Sequence, residues 1–389
     1  MKVLFIFHDS ERNNGANHSM MDIIDYLAKF SGVEPYIAFP KKKGTAIEYA
    51  NNCGYKVYKL RYGRWDFPLD LHGRKKFIYG VKWIVKLMMT VPSYFILKRE
   101  IKRESIQVVY TNTYTTFIGS WLRRSLKILH IWHIREFGKE DHNLKIVGGD
   151  SKLYAALNGA TDKIIFISKS IQEKYLPYIQ EKDKCVVLYN DISESRCNIL
   201  ARWDNTNEIN ILIAGTLQEG KGQLEAIKAI DILNTRYGCT NIRLYIAGKT
   251  QGDYYKVMEK YVQDRDLTEK VSFLGYVSEM TELREKMHFG VVCSSNEAFG
   301  RVTVEGMLTG MLMIGADAAG TRELIKDGHT GYLYKLGNPD ALAAQIFECC
   351  QHMKNTEFVA QNGYQYALST YAKHHTSKEI ETIIRKMYM

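Results

Sequence analysis

Two carboxylates eight positions apart, Glu297 and Glu305, flank the place where an apolar run, 289–293, gives way through Ser294, Ser295 and Asn296 to a helical pattern near Gly300. In an open α/β sheet, ligands bind beyond the carboxyl ends of the strands, where backbone N–H groups at helix starts are free. Carboxylates at such a junction can accept hydrogen bonds from sugar hydroxyls while the amides hold an anion. The competing reading makes Glu297 a solvent-facing charge ahead of the helix and Glu305 a surface helix residue. A second candidate is Gly215-Thr-Leu-Gln-Glu-Gly-Lys-Gly222, lying between an apolar strand and a helix. Its glycines let backbone approach a ligand, and Lys221 can set a charge on a phosphate. Gly222 breaks the Walker order, and the run is not G-x-G-x-x-G. A third is His133, at the end of an apolar run beside Arg135 and Glu136, which can orient it or position an anion.

Other candidates carry less. Asp264-Arg-Asp266 has the D-x-D form of some metal–nucleotide sites. It falls at the C-terminal end of a helix, away from the strand ends where a ligand would sit. Seven scattered cysteines (53, 185, 197, 239, 293, 349 and 350) form no Cys-x-x-Cys, which argues against zinc and a disulfide framework and fits a reducing compartment. No metal is expected, and no nucleic-acid motif accompanies the basic residues.

Two successive strand–helix alternations position these residues. Strands are expected at 2–7, 33–39, 57–60, 108–111, 127–132, 163–167 and 185–188, then at 210–214, 243–247, 271–274, 289–293, 311–315 and 331–334. Helices lie between them and fill 338–389. The pattern predicts an α/β chain with two doubly wound, Rossmann-like parallel sheets and a ligand cleft where their carboxyl ends face each other. The domains are expected at 1–190 and 191–373, with a linker at 191–207 and a last helix, 374–389, packing back on the first domain. A length of 389 residues suits two cores.

Charge is uneven. The net +10 divides into +12 for residues 1–200, with 32 Lys and Arg against 20 Asp and Glu, and −2 for the remainder. A basic half implies an anionic partner. Residues 73–103 interleave Arg74, Lys75, Lys76, Lys82, Lys86, Lys98, Arg99, Lys102 and Arg103 with aromatic and aliphatic side chains. This reads as a basic amphipathic helix for an anionic membrane surface, against a helix pair docked on the sheet with a basic outer face. The chain opens directly into a strand, without a signal-peptide layout, and no apolar run is expected to span a bilayer. The expected location is cytoplasmic, peripheral at the inner face of the cell membrane.

With these residues in view, the chain resembles a family 4 retaining glycosyltransferase of the two-domain GT-B fold, of the type that builds capsule or lipopolysaccharide. The resemblance runs through Glu297-x7-Glu305, Gly215 to Gln223, Gly275-Tyr276, the Gly-Thr-Arg-Glu-Leu run at 320–324 and Asp327-Gly328. In the first half it includes Tyr110-Thr-Asn112, His133-Ile-Arg-Glu136, Ile167-Ser168 and Tyr189-Asn190. It implies transfer of a sugar from a nucleotide-diphosphate sugar, read as a UDP-sugar, to a hydroxyl of a lipid-linked or growing polysaccharide acceptor. No cofactor or metal is implied. Lys221 would hold the diphosphate, and Glu297 would face the sugar with backbone at Phe299 and Gly300. Glu305 would take the ribose, Tyr276 would mark the base, and Val302 and Thr303 would complete the donor side. Gly15 would admit the donor phosphate, with Asn14, Ala16, Arg135 and Glu136 on the acceptor side. His133 would lie near the reacting face of the sugar.

One position departs from the family. Many members carry Arg after the glycine at 215, where this chain has Thr216. A departing diphosphate needs compensating charge, so Arg301 is the expected substitute on the donor side. The alternatives are a non-catalytic sugar-nucleotide binder of the same fold and a nucleotide-sugar epimerase. A dinucleotide dehydrogenase ranks below both, because no G-x-G-x-x-G follows either first strand.

Overall fold

A computed structural model describes residues 1–12, 14–192, 203 and 208–388. Most of the expected linker (193–202 and 204–207), including Cys197, lies outside the described residues, as do Asn13 and Met389. The chain divides into two units: Met1–Asp191 with His374–Met389, and Ile192–Lys373.

In the first unit the strands are β1 (Lys2–Ile6), β2 (Glu34–Phe39), β3 (Lys56–Lys59), β4 (Asp66–Pro68), β5 (Val108–Asn112), β6 (Leu129–Ile134), β7 (Leu144–Ile146), β8 (Lys163–Phe166) and β9 (Cys185–Val187). Seven of them form a parallel sheet in the order β3-β2-β1-β5-β6-β8-β9. Alternation along β1 sends Val3 and Phe5 to one core and Leu4 and Ile6 to the other. The unbroken apolar run 2–7 therefore means burial on both faces. The chain order reverses between β1 and β5, which opens a crevice at their carboxyl ends.

The second unit repeats the plan with β10 (Ile209–Ala214), β11 (Ile242–Ala247), β12 (Val271–Gly275), β13 (Phe289–Val292), β14 (Leu312–Ala316) and β15 (Tyr332–Tyr334). Its order, β12-β11-β10-β13-β14-β15, puts the switch point between β10 and β13. The glycine-lysine loop follows β10 and the Glu297 loop follows β13, so both open at that switch point.

The last helix, His375–Tyr388, belongs to the first unit. Ile380 and Ile384 join the core beside Met20 and Ile24. Asp191 receives the backbone N–H of Thr376 at 3.1 Å and of Ser377 at 2.8 Å, which fastens the helix start.

Three differences from the sequence reading have physical causes. The antiparallel ribbon β4–β7 was not foreseen, because three-residue strands carry no usable periodicity. The helix expected between the strands at 271–274 and 289–293 is short, Met280–Arg284. Residues 73–103 form one continuous helix, Gly73–Glu104, with Pro92 tolerated on its exposed side. That helix also corrects the expectation that no apolar run could span a bilayer. Lys82 and Lys86 are the only charges between Phe77 and Leu97. An 18-residue window there reaches a mean hydropathy of 1.2 with 17% of it buried, enough to cross a membrane by length and composition alone.

Candidate functional site

In the second unit, Lys221 ends a single 3₁₀ turn, Glu219–Lys221, and Gly222 takes a left-handed φ of 70°. A Cβ on Gly222 would stand 2.4 Å from the carbonyl oxygen of Cys293, so only glycine lets the loop pack on the end of β13. Ser295 N–H donates to the Gly220 carbonyl at 3.1 Å and locks the two loops together. Lys221 and Glu297, 76 positions apart, thereby meet as an Nζ–Oε1 ion pair. Behind them Gly320 N–H donates to the Glu297 carbonyl at 2.9 Å. A side chain on Gly320 would collide with that carbonyl at 2.7 Å, which explains the glycine opening the 320–324 run.

Glu305 lies on the short helix Arg301–Met307, entered through Gly300 at φ 98°. It is not a surface charge: its side chain is 12% exposed and faces two guanidinium groups. Arg284 Nη2 stands 2.5 Å from Oε2, and Arg301 Nη2 stands 3.3 Å from Oε1. Arg301, expected on the diphosphate, is thus turned along its own helix onto Glu305. The i,i+4 spacing brings the two side chains together on one helix face. Arg284 escaped the sequence reading, since a lone arginine in a five-residue helix gives no pattern.

The remaining donor-side residues are more dispersed. Phe299 and Thr303 are buried, Val302 is half-buried, and Thr216 is exposed with its carbonyl accepting from Gln223 Nε2 at 3.0 Å. Tyr276 is exposed just past β12 at the sheet edge.

The first unit gathers its candidates at the β1/β5 switch point. Asn14 caps the helix Gly15–Phe30 by accepting from Asn17 N–H, which sets Gly15 and Ala16 in its first turn. Asn112, at the end of β5, donates to the Ala16 carbonyl at 3.3 Å. His133 lies within β6, fully buried. Its Nδ1 stands 2.8 Å from the Tyr110 hydroxyl and 3.2 Å from Arg135 Nη2. Arginine only donates, so Nδ1 is the acceptor and the proton sits on Nε2. Burial and the Arg135 charge push the imidazole well below its usual pKa, so it is neutral. Nε2 is buried without a hydrogen-bond partner among the described residues, leaving a donor unspent. Arg135 also spans to Asn112 Oδ1 at 2.6 Å and Asn190 Oδ1 at 2.7 Å, joining the ends of β5, β6 and β9.

Glu136 turns away from His133. Its Oε2 receives the Arg135 backbone N–H at 3.2 Å and the Tyr114 N–H at 3.4 Å. Burial first, then the nearby Asp141 charge, raise its pKa from 4.5 to about 8. The folded state therefore holds this proton more tightly than the unfolded chain. Stability from this group is present below 4.5 and is lost as pH rises towards about 8, beyond which the loss levels off. Melting temperatures of wild type and Glu136→Gln across this range should diverge, the wild type falling with pH and the variant staying flatter. Parallel curves would contradict this.

Among the described residues, no group of three or more His, Cys, Asp and Glu side chains is placed to hold a metal ion.

Both parallel sheets, each with its polar groups at a switch point, match a known two-domain architecture. The structure of Anabaena Alr3699/HepE with UDP and glucose aligns over 99% of each chain with a TM-score of 0.78 at 17% identity, which establishes the GT-B fold. Two family profiles cover nearly all of the sequence: "Glycosyltransferase Family 4" over residues 13–196 and "Glycosyl transferases group 1" over residues 201–366. The chain belongs to glycosyltransferase family 4, and it is a transferase enzyme whose chemistry is sugar transfer. An uncharacterized glycosyltransferase of Methanocaldococcus jannaschii is 25% identical over 291 residues, 70% of this chain and 73% of its own. The N-acetylgalactosamine-N,N'-diacetylbacillosaminyl-diphospho-undecaprenol 4-alpha-N-acetylgalactosaminyltransferase of Campylobacter jejuni is 27% identical over 161 residues, 41% of this chain and 42% of its own.

Proposed function

We propose that this enzyme transfers a sugar, with retention of anomeric configuration, from a UDP-sugar to a hydroxyl of a lipid-linked or growing polysaccharide acceptor. The observation that carries the reading is the Lys221–Glu297 pair at the β10/β13 switch point. A diphosphate arriving there takes over the ammonium, and the freed carboxylate turns to the sugar hydroxyls. The bond from the anomeric carbon to the diphosphate oxygen breaks as the acceptor oxygen attacks from the same face. The acceptor proton passes to the departing diphosphate. The chain's part is to position and to stabilise charge. The Nε2–H of His133 is suited to a sugar hydroxyl as a donor, not as a base. Lys221 supplies the charge for the leaving group, so we propose transfer without a metal, to be checked by turnover in the presence of a chelator. Support for a UDP donor comes from the crystallised Anabaena protein, and support for a lipid-diphosphate acceptor from the name of the Campylobacter relative. A panel of nucleotide-sugars, followed by release of nucleoside diphosphate with lipid-diphosphate acceptors present, tests the reading. Silence across the panel would remove it.

The same reading places the enzyme at the cytoplasmic face of the cell membrane. Phe77, Val81, Ile84, Met88, Val91 and Phe95 recur every three or four residues along the long helix, and all are well exposed. They make one apolar stripe about 30 Å long. Arg74, Lys75 and Lys76 precede it, and Lys98, Arg99, Lys102 and Arg103 follow it. The opposite face is fastened to its own unit, with Gly63 N–H donating to Thr90 Oγ1 at 2.8 Å and Ser93 Oγ to the Arg61 carbonyl at 2.7 Å. The helix is therefore suited to lie in an anionic lipid interface. A second copy packed on the stripe would bring like charges together at both ends. Vesicles rich in phosphatidylglycerol should sediment the enzyme at low salt and less at high salt. Met88→Asp should weaken sedimentation at both. Indifference to lipid charge would refute the assignment.

A further inference from the structure

A cavity of about 360 Å³ opens in the first unit between the end of β2 and the flank of the long helix. Four cations line it: Lys41 and Lys42 just past β2, Arg61 past β3, and Lys86 on the helix. Among the described residues one carboxylate pairs with them, Asp9, whose Oδ1 lies 2.6 Å from Lys41 Nζ. Among the described residues, Lys42, Arg61 and Lys86 have no carboxylate partner. Like charges gathered in an open concavity focus a positive field that draws anions to it.

The surroundings of this cavity narrow the class of anion. Tyr62, on its wall, donates through one hydroxyl shared between the Phe7 carbonyl at 2.6 Å and the Ala38 carbonyl at 2.7 Å, which ties it to the carboxyl ends of β1 and β2. The loop after β1 reaches it through Asp9 and leads on to Asn14 and Ala16, residues read as facing the acceptor. Val85 and Met89 form its helix-side wall. Val85 is itself exposed and adjoins the apolar stripe one residue away at Ile84. A polycationic site thus grades directly into a long apolar surface.

We propose that this cavity binds the diphosphate of a lipid-linked acceptor, with the lipid chain leaving across Val85 and Met89 onto the exposed stripe. The inference rests on the lipid-acceptor reading given above and assigns the acceptor's charged group a site on this chain. Two or more ammonium or guanidinium groups suit a diphosphate, since charge-assisted hydrogen bonds to its oxygens are stronger than neutral ones.

The test uses the full-length enzyme, saturated with UDP to occupy the donor side. Calorimetry is run with farnesyl diphosphate, with inorganic pyrophosphate, and separately with phosphatidylglycerol vesicles. Farnesyl diphosphate should bind about tenfold or more tightly than pyrophosphate, because only it carries a chain for the apolar wall. The double variant Lys42→Gln/Lys86→Gln, both exposed positions, should keep its melting temperature and lose about tenfold or more for both diphosphates. It should keep most of its vesicle binding. Binding of farnesyl diphosphate by the variant as by wild type would overturn the proposal. So would equal affinity of wild type for the two diphosphates, or a loss confined to vesicles, which would mark a surface for bulk headgroups. Transfer onto a lipid acceptor that persists in the variant removes the cavity's role and leaves the activity standing. Loss of diphosphate binding in the variant, with no transfer by wild type from any donor, leaves the cavity and removes the activity.

Discussion

Replacing Lys221 by Ala should lower the rate of sugar transfer by about 10²–10³-fold, the scale seen when one preorganised charge is withdrawn from a transition state. The ammonium sits where the loops after β10 and β13 meet, positioned by the Gly222 turn that packs against Cys293. Because it acts on the diphosphate both before and during departure, kcat/KM should fall further than kcat. Glu297→Gln should behave differently. The neutral amide can accept a hydrogen bond from Lys221 but forms no ion pair with it, which loosens the ammonium for the diphosphate, so donor KM should stay level or fall. The orientation of the sugar is lost, and kcat should drop by about 10²-fold. Steady-state kinetics on the two variants, with nucleoside diphosphate release as the readout, separates these patterns. Near-normal turnover in both would move the reacting centre away from this loop pair.

Much of this site was visible in the sequence, and the reason differs between residues. Lys221 and Glu297 each follow an apolar strand in a parallel α/β pattern, and the switch-point rule brings such loops together even when they are 76 positions apart. Gly222 and Gly320 were legible as glycines but not as necessities. Their role appears only when a Cβ is set against Cys293 and Glu297 of another segment. His133 was placed at a strand end and is in fact inside β6, buried, because the strand continues as far as its neighbour β8 can pair with it. Its tautomer was beyond reach, since it depends on Tyr110 and Arg135 reaching one ring nitrogen. Glu136 was read as a partner of that histidine, yet its carboxyl is drawn instead to two backbone amides. The long helix shows the limit of composition. Nine basic residues suggest an amphipathic surface segment, but not its length as a single helix, because Pro92 inside the run reads as a break and is accommodated only by facing outward, where water can take the carbonyl it leaves unpaired.

Arg284→Ala should destabilise the second unit by about 3 kcal/mol and raise the KM for the nucleotide-sugar. The side chain is 7% exposed and meets a carboxylate that is 12% exposed, so water cannot replace the lost partner. Arg301, at 3.3 Å and 14% exposed, remains to shield Glu305 in part. This arrangement fixes an order. Glu305→Ala should cost the most, because it removes the one carboxylate that both guanidinium groups meet. Arg284→Ala should come next, and Arg301→Ala should cost least. Denaturant unfolding followed by a probe confined to the second unit gives the ranking, since the two units need not unfold together. The double variant Arg284→Met/Glu305→Met should recover much of the stability, as paired buried charges replaced by apolar side chains often do. It should not recover the donor KM if Glu305 meets the ribose. Recovery of both would make the triad purely a packing device, while recovery of stability alone assigns Glu305 to the ligand and Arg284 to holding it in place.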